Sequence, residues 1–201
     1  MAFTVAIDGP AASGKGTVAR TLATRFGFAY LDTGLLYRAT ARKALDGYDP
    51  VVAARALKLE DLDRDDLRLP DVAQAASRVA ANEDVRAALL KFQRNFAEQP
   101  CGAVLDGRDI GSVICPSADV KLFITASEVV RANRRLEELL GKGIATDYET
   151  VLEDLRQRDS RDKQRASAPL KPADDAIEID TTHLTVAEVV ETAADIIEAR
   201  R

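Results

Sequence analysis

The feature that most constrains the fold is a glycine-rich segment between an apolar run and a helical pattern. Residues 3–8 form a short apolar stretch rich in β-branched side chains, which is typical of a buried strand. The glycine-rich segment at residues 9–17 follows directly, and helical periodicity then runs from Val18 to Phe26. A turn of this kind directs several backbone N–H groups toward one point beside a helix N-terminus. This order of elements predicts a loop that holds a polyphosphate.

The spacing inside the loop narrows the class of protein. Four residues separate Gly9 from Gly14, and Lys15 follows within reach of the β- and γ-phosphates of a nucleotide. A lysine in the first turn of a helix opposes the helix dipole, which indicates that an anion binds beside it. Gly16 stands where strict NTPases carry Ser or Thr, and Thr17 supplies the hydroxyl one position later. The GKGT order resembles the loop of nucleoside monophosphate kinases, and the chain has no NKxD-type run that would read guanine in a GTPase.

Strand and helix patterns alternate along the rest of the chain. Strands are predicted at residues 3–8, 28–31, 103–106, 120–124 and 177–180, and helices at 18–26, 35–45, 71–81, 84–97, 128–140, 148–163 and 186–199. Ser127, Thr146 or Asp147, and Thr185 are candidate N-caps. Residues 50–70 have a weaker pattern and an acidic cluster, and we expect a solvated connector there. The alternation predicts one α/β domain with a parallel sheet covered on both faces.

Composition excludes several classes of function. With 28 basic and 33 acidic residues the net charge is −5, so a generally basic nucleic-acid binder is excluded. No apolar run approaches the ~20 residues of a membrane span, and the start of the chain does not resemble a signal peptide. Cys101 and Cys115 form no CxxC pair and His183 is the only histidine, which argues against zinc, disulfides and histidine-based nucleophilic catalysis. We therefore expect a cytoplasmic protein.

Four further segments are candidates for a second substrate site: residues 32–38, 77–86, 106–109 and 158–165. Residues 32–38 and 106–109 each follow a predicted strand, at the sheet edge where open α/β folds bind ligands. Arg158, Asp162 and Arg165 share one face of a predicted helix, which either is a solvated salt-bridge face or contacts substrate. Asp106 ends an apolar strand and is a candidate for a water-mediated Mg²⁺ contact or for a purely structural carboxylate.

Several segments together resemble the bacterial cytidylate (CMP) kinases, over nearly the whole chain and in order. They are the loop at 9–17, Leu31-Asp32-Thr33-Gly34 with Tyr37-Arg38, residues 75–80, Asp106-Gly107-Arg108-Asp109-Ile110-Gly111, and the RDSRD…R…APL run at 158–170. The resemblance implies a P-loop NTPase-type core with a five-stranded parallel sheet flanked by helices. It further implies one domain over residues 1–201, with a monophosphate-binding insert at about 34–98 and a lid at about 131–172.

The same resemblance implies roles on the donor side. The residues expected to bind ATP are Gly9, Pro10, Ala11, Ala12, Ser13, Gly14, Lys15, Gly16, Thr17 and Arg131. Lys15, Arg108, Arg135 and Arg165 are expected to be catalytic. No residue is expected to bind a metal directly, and Mg²⁺ is expected to arrive with ATP, with Thr17 and Asp106 as possible contacts through water. Backbone around residues 180–182 is expected to flank the adenine.

On the acceptor side, the resemblance assigns residues to the base, the phosphate and the sugar of CMP. Ser77, Arg86 and Asp109 match residues that recognise cytosine. Arg38, Arg108 and Arg165 match residues that bind the acceptor phosphate, with Thr33 at its edge. Arg158 and Asp162 match residues that face the sugar hydroxyls.

The resemblance implies the reaction MgATP + CMP ⇌ MgADP + CDP, with dCMP also accepted and a monomeric enzyme that binds neither nucleic acid nor membrane. The alternatives are another P-loop kinase acting on UMP, AMP or a small alcohol, and a nucleotide-switched binding module. The sequence departs from the family pattern at three places. Thr33 stands where the family usually has Ser, Thr125 often corresponds to Asp, and residues 50–70 are shorter than the insert of many bacterial members.

Overall fold

The computed structural model describes residues 2–201 and contains one five-stranded sheet. The strands are β1 (Thr4–Asp8), β2 (Ala29–Asp32), β3 (Ala103–Gly107), β4 (Val120–Thr125) and β5 (Ile177–Asp180). Their order across the sheet is β2-β3-β1-β4-β5, and every neighbouring pair is parallel. All residues of the central strands β1 and β3 are buried, as expected for a parallel sheet covered on both faces. The predicted fold class is confirmed.

Eight α-helices connect and cover the strands within the described residues. They are α1 (Lys15–Phe26), α2 (Thr33–Leu45), α3 (Pro50–Arg55), α4 (Pro70–Val79), α5 (Glu83–Ala97), α6 (Glu128–Gly141), α7 (Tyr148–Gln164) and α8 (Val186–Glu198). The predicted caps are confirmed for three of them. The side chains of Ser127, Asp147 and Thr185 each accept a backbone N–H in the first turn, and Thr185 forms a reciprocal capping box with Glu188. No helix of residues 2–201 is long and apolar enough to cross a membrane.

Two apolar layers enclose the sheet. On one face, α1 and α8 pack against β1 and β4, with Leu22, Leu122 and Ile197 fully or almost fully buried. On the other face, α2, α4 and α5 pack around Leu36, Leu89 and neighbouring residues. A smaller cluster joins α6 to α7. The loops at the carboxyl ends of β1, β2 and β3 therefore extend from a close-packed core.

The expectation of a solvated connector at residues 50–70 is wrong. Asp49 caps α3 by accepting the N–H groups of Val51 and Val52, and two 3-10 turns follow at Leu59–Leu62 and Asp65–Arg68. Leu67 is fully buried. The acidic cluster misled the prediction because part of it is engaged, with Asp61 bonded to Lys43 at 2.6 Å. The segment packs against α2 as a compact cover.

Candidate active site

A cavity of about 360 Å³ opens at the carboxyl ends of β1, β2 and β3. It is the place where an open parallel sheet binds ligands. Its lining comes from the glycine-rich loop, the start of α2, α4, the segment after β3, α6 and α7. Sixteen of the predicted site residues, from segments far apart in sequence, line this one cavity: Ala11, Ala12, Gly14, Lys15, Gly16, Thr17, Thr33, Arg38, Ser77, Asp106, Arg108, Asp109, Arg135, Arg158, Asp162 and Arg165.

The glycine-rich loop adopts backbone conformations that constrain its sequence. Gly9 has φ 149°, and a Cβ there would lie 2.0 Å from the carbonyl oxygen of Ile124, so no side chain fits. Gly14 has φ 90° and leads directly into α1, which begins at Lys15 rather than at the predicted Val18. The helix N-terminus therefore lies immediately at the cavity. This arrangement of free N–H groups suits an anionic ligand.

Lys15 lies at this point in surroundings that disfavour its charged form. Its Nζ donates to the carbonyl oxygen of Pro10 at 3.4 Å. Burial, and next the charge of Arg108, lower the pKa of Lys15 to about 7. Desolvation disfavours the ammonium form in the absence of a counter-charge, and a bound phosphate would reverse that effect. The lysine is therefore poised to be charged by the anion that it binds.

Two carboxylates lie beside the loop at the ends of β2 and β3. Burial, and next the charge of Asp32, raise the pKa of Asp106 to about 7. A Cβ on Gly16 would lie 3.0 Å from Asp106 Oδ2, so this carboxylate touches the first turn of α1, where the hydroxyl of Thr17 is exposed. Neighbouring carboxylates and a hydroxyl are the hard oxygen donors that Mg²⁺ prefers. Among residues 2–201 no group of three or more His, Cys, Asp or Glu could hold a metal ion alone.

Several arginines line the cavity. Asp162 bridges two of them, because its carboxylate accepts from Arg108 Nε at 2.9 Å and lies 3.1 Å from Arg165 Nη2. Arg38 donates to the carbonyl oxygen of Leu67 at 2.8 Å. Burial, and next the charge of Arg108, lower the pKa of Arg158 to about 9, and burial lowers the pKa of Arg38 to about 10. Cations crowded in this way favour a strongly anionic ligand between them.

A buried ion pair beside the cavity joins Asp109 to Arg86, which is also bonded to the hydroxyl of Tyr37 at 3.3 Å. Burial raises the pKa of Asp109 against the opposing effect of Arg86. Arg86 itself does not line the cavity, so it reaches the ligand space through Asp109. Ser77 is buried and lines the cavity from α4. A carboxylate and a hydroxyl fixed on a buried frame can read the hydrogen-bonding edge of a base.

Comparisons with known proteins identify the family of this chain. The family model of cytidylate kinase matches residues 5–60 and 47–199. A protein of Cereibacter sphaeroides named cytidylate kinase is 60% identical over 201 residues, covering 100% of this chain and 98% of the relative. One of Methylocella silvestris with the same name is 59% identical over 97% of this chain and 94% of its own length. The chain belongs to the cytidylate kinase family.

Solved structures that are more distant share the fold. An uncharacterised protein from Eubacterium ventriosum superposes with a TM-score of 0.59 at 17% identity, over 98% of this chain and 99% of its own. The Thermus thermophilus protein TT1252 superposes with a TM-score of 0.52 at 21% identity, over 98% of this chain and 97% of its own. At such identities these two structures support the architecture of this cytidylate kinase family member and nothing finer.

The position of Arg131 gives no support to its predicted contact with ATP. Its guanidinium is buried, bonded to the carbonyl oxygens of Ala11 and Ala126, and paired with Asp159 at 2.7 Å. Arg131 thus joins the glycine-rich loop to α7 and does not line the cavity. Arg135 does line the cavity, where it pairs with Glu138 at 2.7 Å.

Sequence reasoning missed other residues of the site. Arg68 lines the cavity from the second 3-10 turn and lies 3.2 Å from Asp32. Arg134 donates to Ser13 O at 3.3 Å and to Thr181 Oγ1 and O at 2.9 Å, which fixes the loop against the chain after β5. Arg134 lies in sequence between Arg131 and Arg135, which were both predicted as site residues, so this arginine-rich helix is a usable signal. Arg68 lay inside the segment predicted as a connector, so its position could not be anticipated.

Proposed function

We propose that this cytidylate kinase family member transfers the γ-phosphoryl group of MgATP to CMP, giving CDP and ADP, and that it also accepts dCMP. The observation that supports the proposal is one cavity lined by the glycine-rich loop, by Ser77 and Asp109, and by several arginines. The family assignment and the relatives named cytidylate kinase support the same reaction. Residues 34–98 act as the monophosphate-binding insert and residues 131–172 as the lid of a cytoplasmic monomer.

Phosphoryl transfer between two nucleotides mainly requires charge neutralisation and alignment. The attacking group is a phosphate oxygen of CMP, whose second pKa is about 6, so it is mostly ionised at neutral pH and needs no general base. Arg38, Arg108 and Arg165 hold this phosphate, and Lys15 with the loop amides holds the β- and γ-phosphates. Arg135 approaches the transferred group from α6. Positioning and electrostatic stabilisation then supply most of the rate enhancement.

Magnesium fits the donor end of the cavity. Thr17 and Asp106 would contact the ion through water, and Asp32 would add negative charge nearby. When bound with the nucleotide, Mg²⁺ would supply positive charge that offsets the negative charge of the phosphates. A cation beside Asp106 would lower the raised pKa of this group and so favour the carboxylate form that such a contact needs.

Base recognition is assigned to Asp109, Ser77 and Arg86. Cytosine carries an exocyclic amine that donates hydrogen bonds, and uracil carries a carbonyl oxygen at that position. The Asp109 carboxylate, oriented by Arg86, accepts from the amine and repels the carbonyl oxygen. Arg158 and Asp162, at the α7 side of the cavity, face the sugar hydroxyls, and Thr33 lies at the edge of the acceptor phosphate.

The test is acceptor specificity measured by ADP release with CMP, dCMP, UMP, AMP and a small alcohol of the shikimate type. We expect CMP and dCMP to exceed the other acceptors in kcat/KM by about 10⁴ or more, because a site that hydrogen-bonds a distinguishing group rejects analogues without it by about 10⁴–10⁵. Equal or greater use of UMP or AMP would contradict the proposed substrate. GTP binding that is tighter than ATP binding would instead support a nucleotide-switched module.

A further inference from the structure

Arg161 on α7 reaches across to α4 and binds the side chain proposed to read the base. Its Nε donates to Ser77 Oγ at 3.2 Å, and its Nη2 donates to Gln74 Oε1. Arg161 is half-buried and does not line the cavity, whereas Ser77 does. The arginine therefore stands behind the serine as seen from the ligand space.

The partners of Arg161 distinguish it from the other arginines of α7. Among residues 2–201 no carboxylate lies within ion-pair distance of it. Asp159 is paired with Arg131, and Asp162 is paired with Arg108 and Arg165. The guanidinium of Arg161 therefore forms no salt bridge, and its donors bind only a hydroxyl and an amide oxygen. Its geometric effect is to fix the two neutral groups that it binds.

The chemistry of the contact defines what remains for a ligand. Arginine has only donors, so Arg161 occupies one lone pair of the Ser77 hydroxyl and leaves one lone pair and the proton. A helical serine or threonine often donates that proton to the preceding turn, as Thr40 does to Leu36 O at 2.8 Å. Ser77 makes no such bond within the described residues. Its remaining lone pair and proton are therefore free for the cavity, on an oxygen whose position is fixed.

We propose that Arg161 is a positioning residue for base recognition, which holds Ser77 so that its hydroxyl discriminates cytosine from uracil. The proposal rests on the proposed function and deepens it. Without Arg161, the hydroxyl of Ser77 can rotate and bond to the helix backbone or adapt to either base. The contact with Gln74 gives the guanidinium a second fixed point on α4, so the serine is held by a fork rather than by a single bond.

The test compares Arg161→Met with Arg156→Met. Arg156 lies on the same helix, is exposed and pairs only with exposed Glu128, so it controls for the loss of a positive charge on α7. For Arg161→Met we expect the KM for CMP to rise and the CMP-to-UMP ratio of kcat/KM to fall by about tenfold, the effect of losing one charge-assisted hydrogen bond. The KM for ATP should stay within about twofold of the wild-type value. The Arg156→Met enzyme should match the wild type in all three quantities.

A double-mutant cycle with Ser77→Ala separates positioning from a general structural role. If Arg161 acts through Ser77, Arg161→Met has no further effect on the CMP-to-UMP ratio in the Ser77→Ala background. The same tenfold fall in both backgrounds, an unchanged ratio, or equal changes in the KM values for ATP and CMP would overturn the proposal. If Arg161→Met does not fold, Arg161→Lys replaces it in the test. This variant keeps the positive charge but cannot bind Ser77 and Gln74 together, and we expect its CMP-to-UMP ratio of kcat/KM to lie between 1 and the wild-type value. A wild-type enzyme without preference for CMP would contradict the proposed function itself.

Discussion

At the scale of single residues, the site holds charged groups in places that the fold alone disfavours. Lys15 stands at a helix N-terminus with a pKa lowered to about 7, and Arg158 and Arg38 also have lowered pKa values because of burial. Such groups reduce the stability of the ligand-free protein, since the nearby carboxylates Asp32, Asp106 and Asp162 offset only part of the cost of desolvating them. A bound phosphate would recover this cost, which is the expected signature of a functional site.

Lys15→Met should therefore abolish activity and stabilise the ligand-free fold near neutral pH. We expect a loss of about 10²–10³ or more in kcat, as for removal of one preorganised electrostatic donor. The pKa of Lys15 is lowered in the folded state, so between about pH 7 and 10 the unfolded chain binds more protons at this lysine than the folded chain does. Lys15 therefore becomes less destabilising as the pH rises through this range. Denaturant unfolding at pH 7 and pH 9 should show the advantage of the variant shrinking at pH 9. Lys91→Met, at an exposed position on α5, should show no such trend, and a constant advantage across pH would contradict the burial of Lys15.

Asp109→Ala tests base reading and the buried ion pair together. The KM for CMP should rise by at least tenfold while the KM for ATP changes little, because Asp109 is proposed to contact the base of CMP and not ATP. The variant also leaves Arg86 buried without its partner, which should lower the free energy of unfolding by about 3–5 kcal/mol. Steady-state kinetics and urea unfolding measure the two effects. Equal increases in the KM values for CMP and ATP would refute a role in base recognition.

At the scale of elements, buried contacts link the donor and acceptor halves of the site. Asp8, at the end of β1 and directly before the glycine-rich loop, accepts the N–H groups of Ile110 and Gly111, both at 2.8 Å. These amides begin the single π-helical turn Ile110–Ile114, which follows Arg108 and Asp109. The strand that carries the donor loop therefore also fixes the loop that carries acceptor residues.

Asp8→Asn should weaken the acceptor side although Asp8 is adjacent to the donor loop in sequence. The amide nitrogen cannot accept a backbone N–H, so one of the two bonds is lost, with a cost of about 1–3 kcal/mol in the free energy of unfolding. We expect the KM for CMP to rise more than the KM for ATP. Thermal or urea unfolding and initial-rate kinetics check both parts. A selective rise in the KM for ATP would show that Asp8 serves the donor loop instead.

Much of the element scale could be predicted, and the failures have physical causes. The strands and most helices follow from short apolar runs, periodicity and caps such as Asp147. The beginning of α1 was placed too late, because a glycine-rich loop hides the first helical turn from periodicity. α3 and the 3-10 turns were missed because their short apolar patches, such as Ala53 and Ala54, lie among charged residues. The contact of Arg161 with Ser77 joins residues 84 positions apart, and no local pattern encodes it.

At the scale of the whole molecule, an acidic protein concentrates positive charge in one cavity. The chain has a net charge of −5, yet the cavity is lined by Lys15 and several arginines. A site of this kind selects anions by local charge while the remaining surface stays negative. The sequence predicted the convergence of these segments through the family resemblance. The identity of the Arg–Asp partners required the three-dimensional structure.

Ligand-dependent stability should therefore depend on the phosphate group. CMP at about 100 times its Kd should raise the free energy of unfolding by about 2.7 kcal/mol. For a chain of this size the corresponding shift in Tm is about 5–10 °C. Cytidine, which has the base and sugar but no phosphate, should give a much smaller shift at the same concentration. A thermal shift with cytidine equal to that with CMP would contradict the role of the arginines.

The central claim is that one cavity binds both nucleotides, with the phosphate of CMP among the arginines and its base at Asp109. A crystal structure grown with saturating CMP and a non-hydrolysable ATP analogue tests it most directly. We expect the cytosine amine against the Asp109 carboxylate, the CMP phosphate between Arg38, Arg108 and Arg165, and the triphosphate on the glycine-rich loop. A complex in which CMP is absent from the space beside Arg108 and Asp109, or in which its base points toward Lys15, would contradict the account.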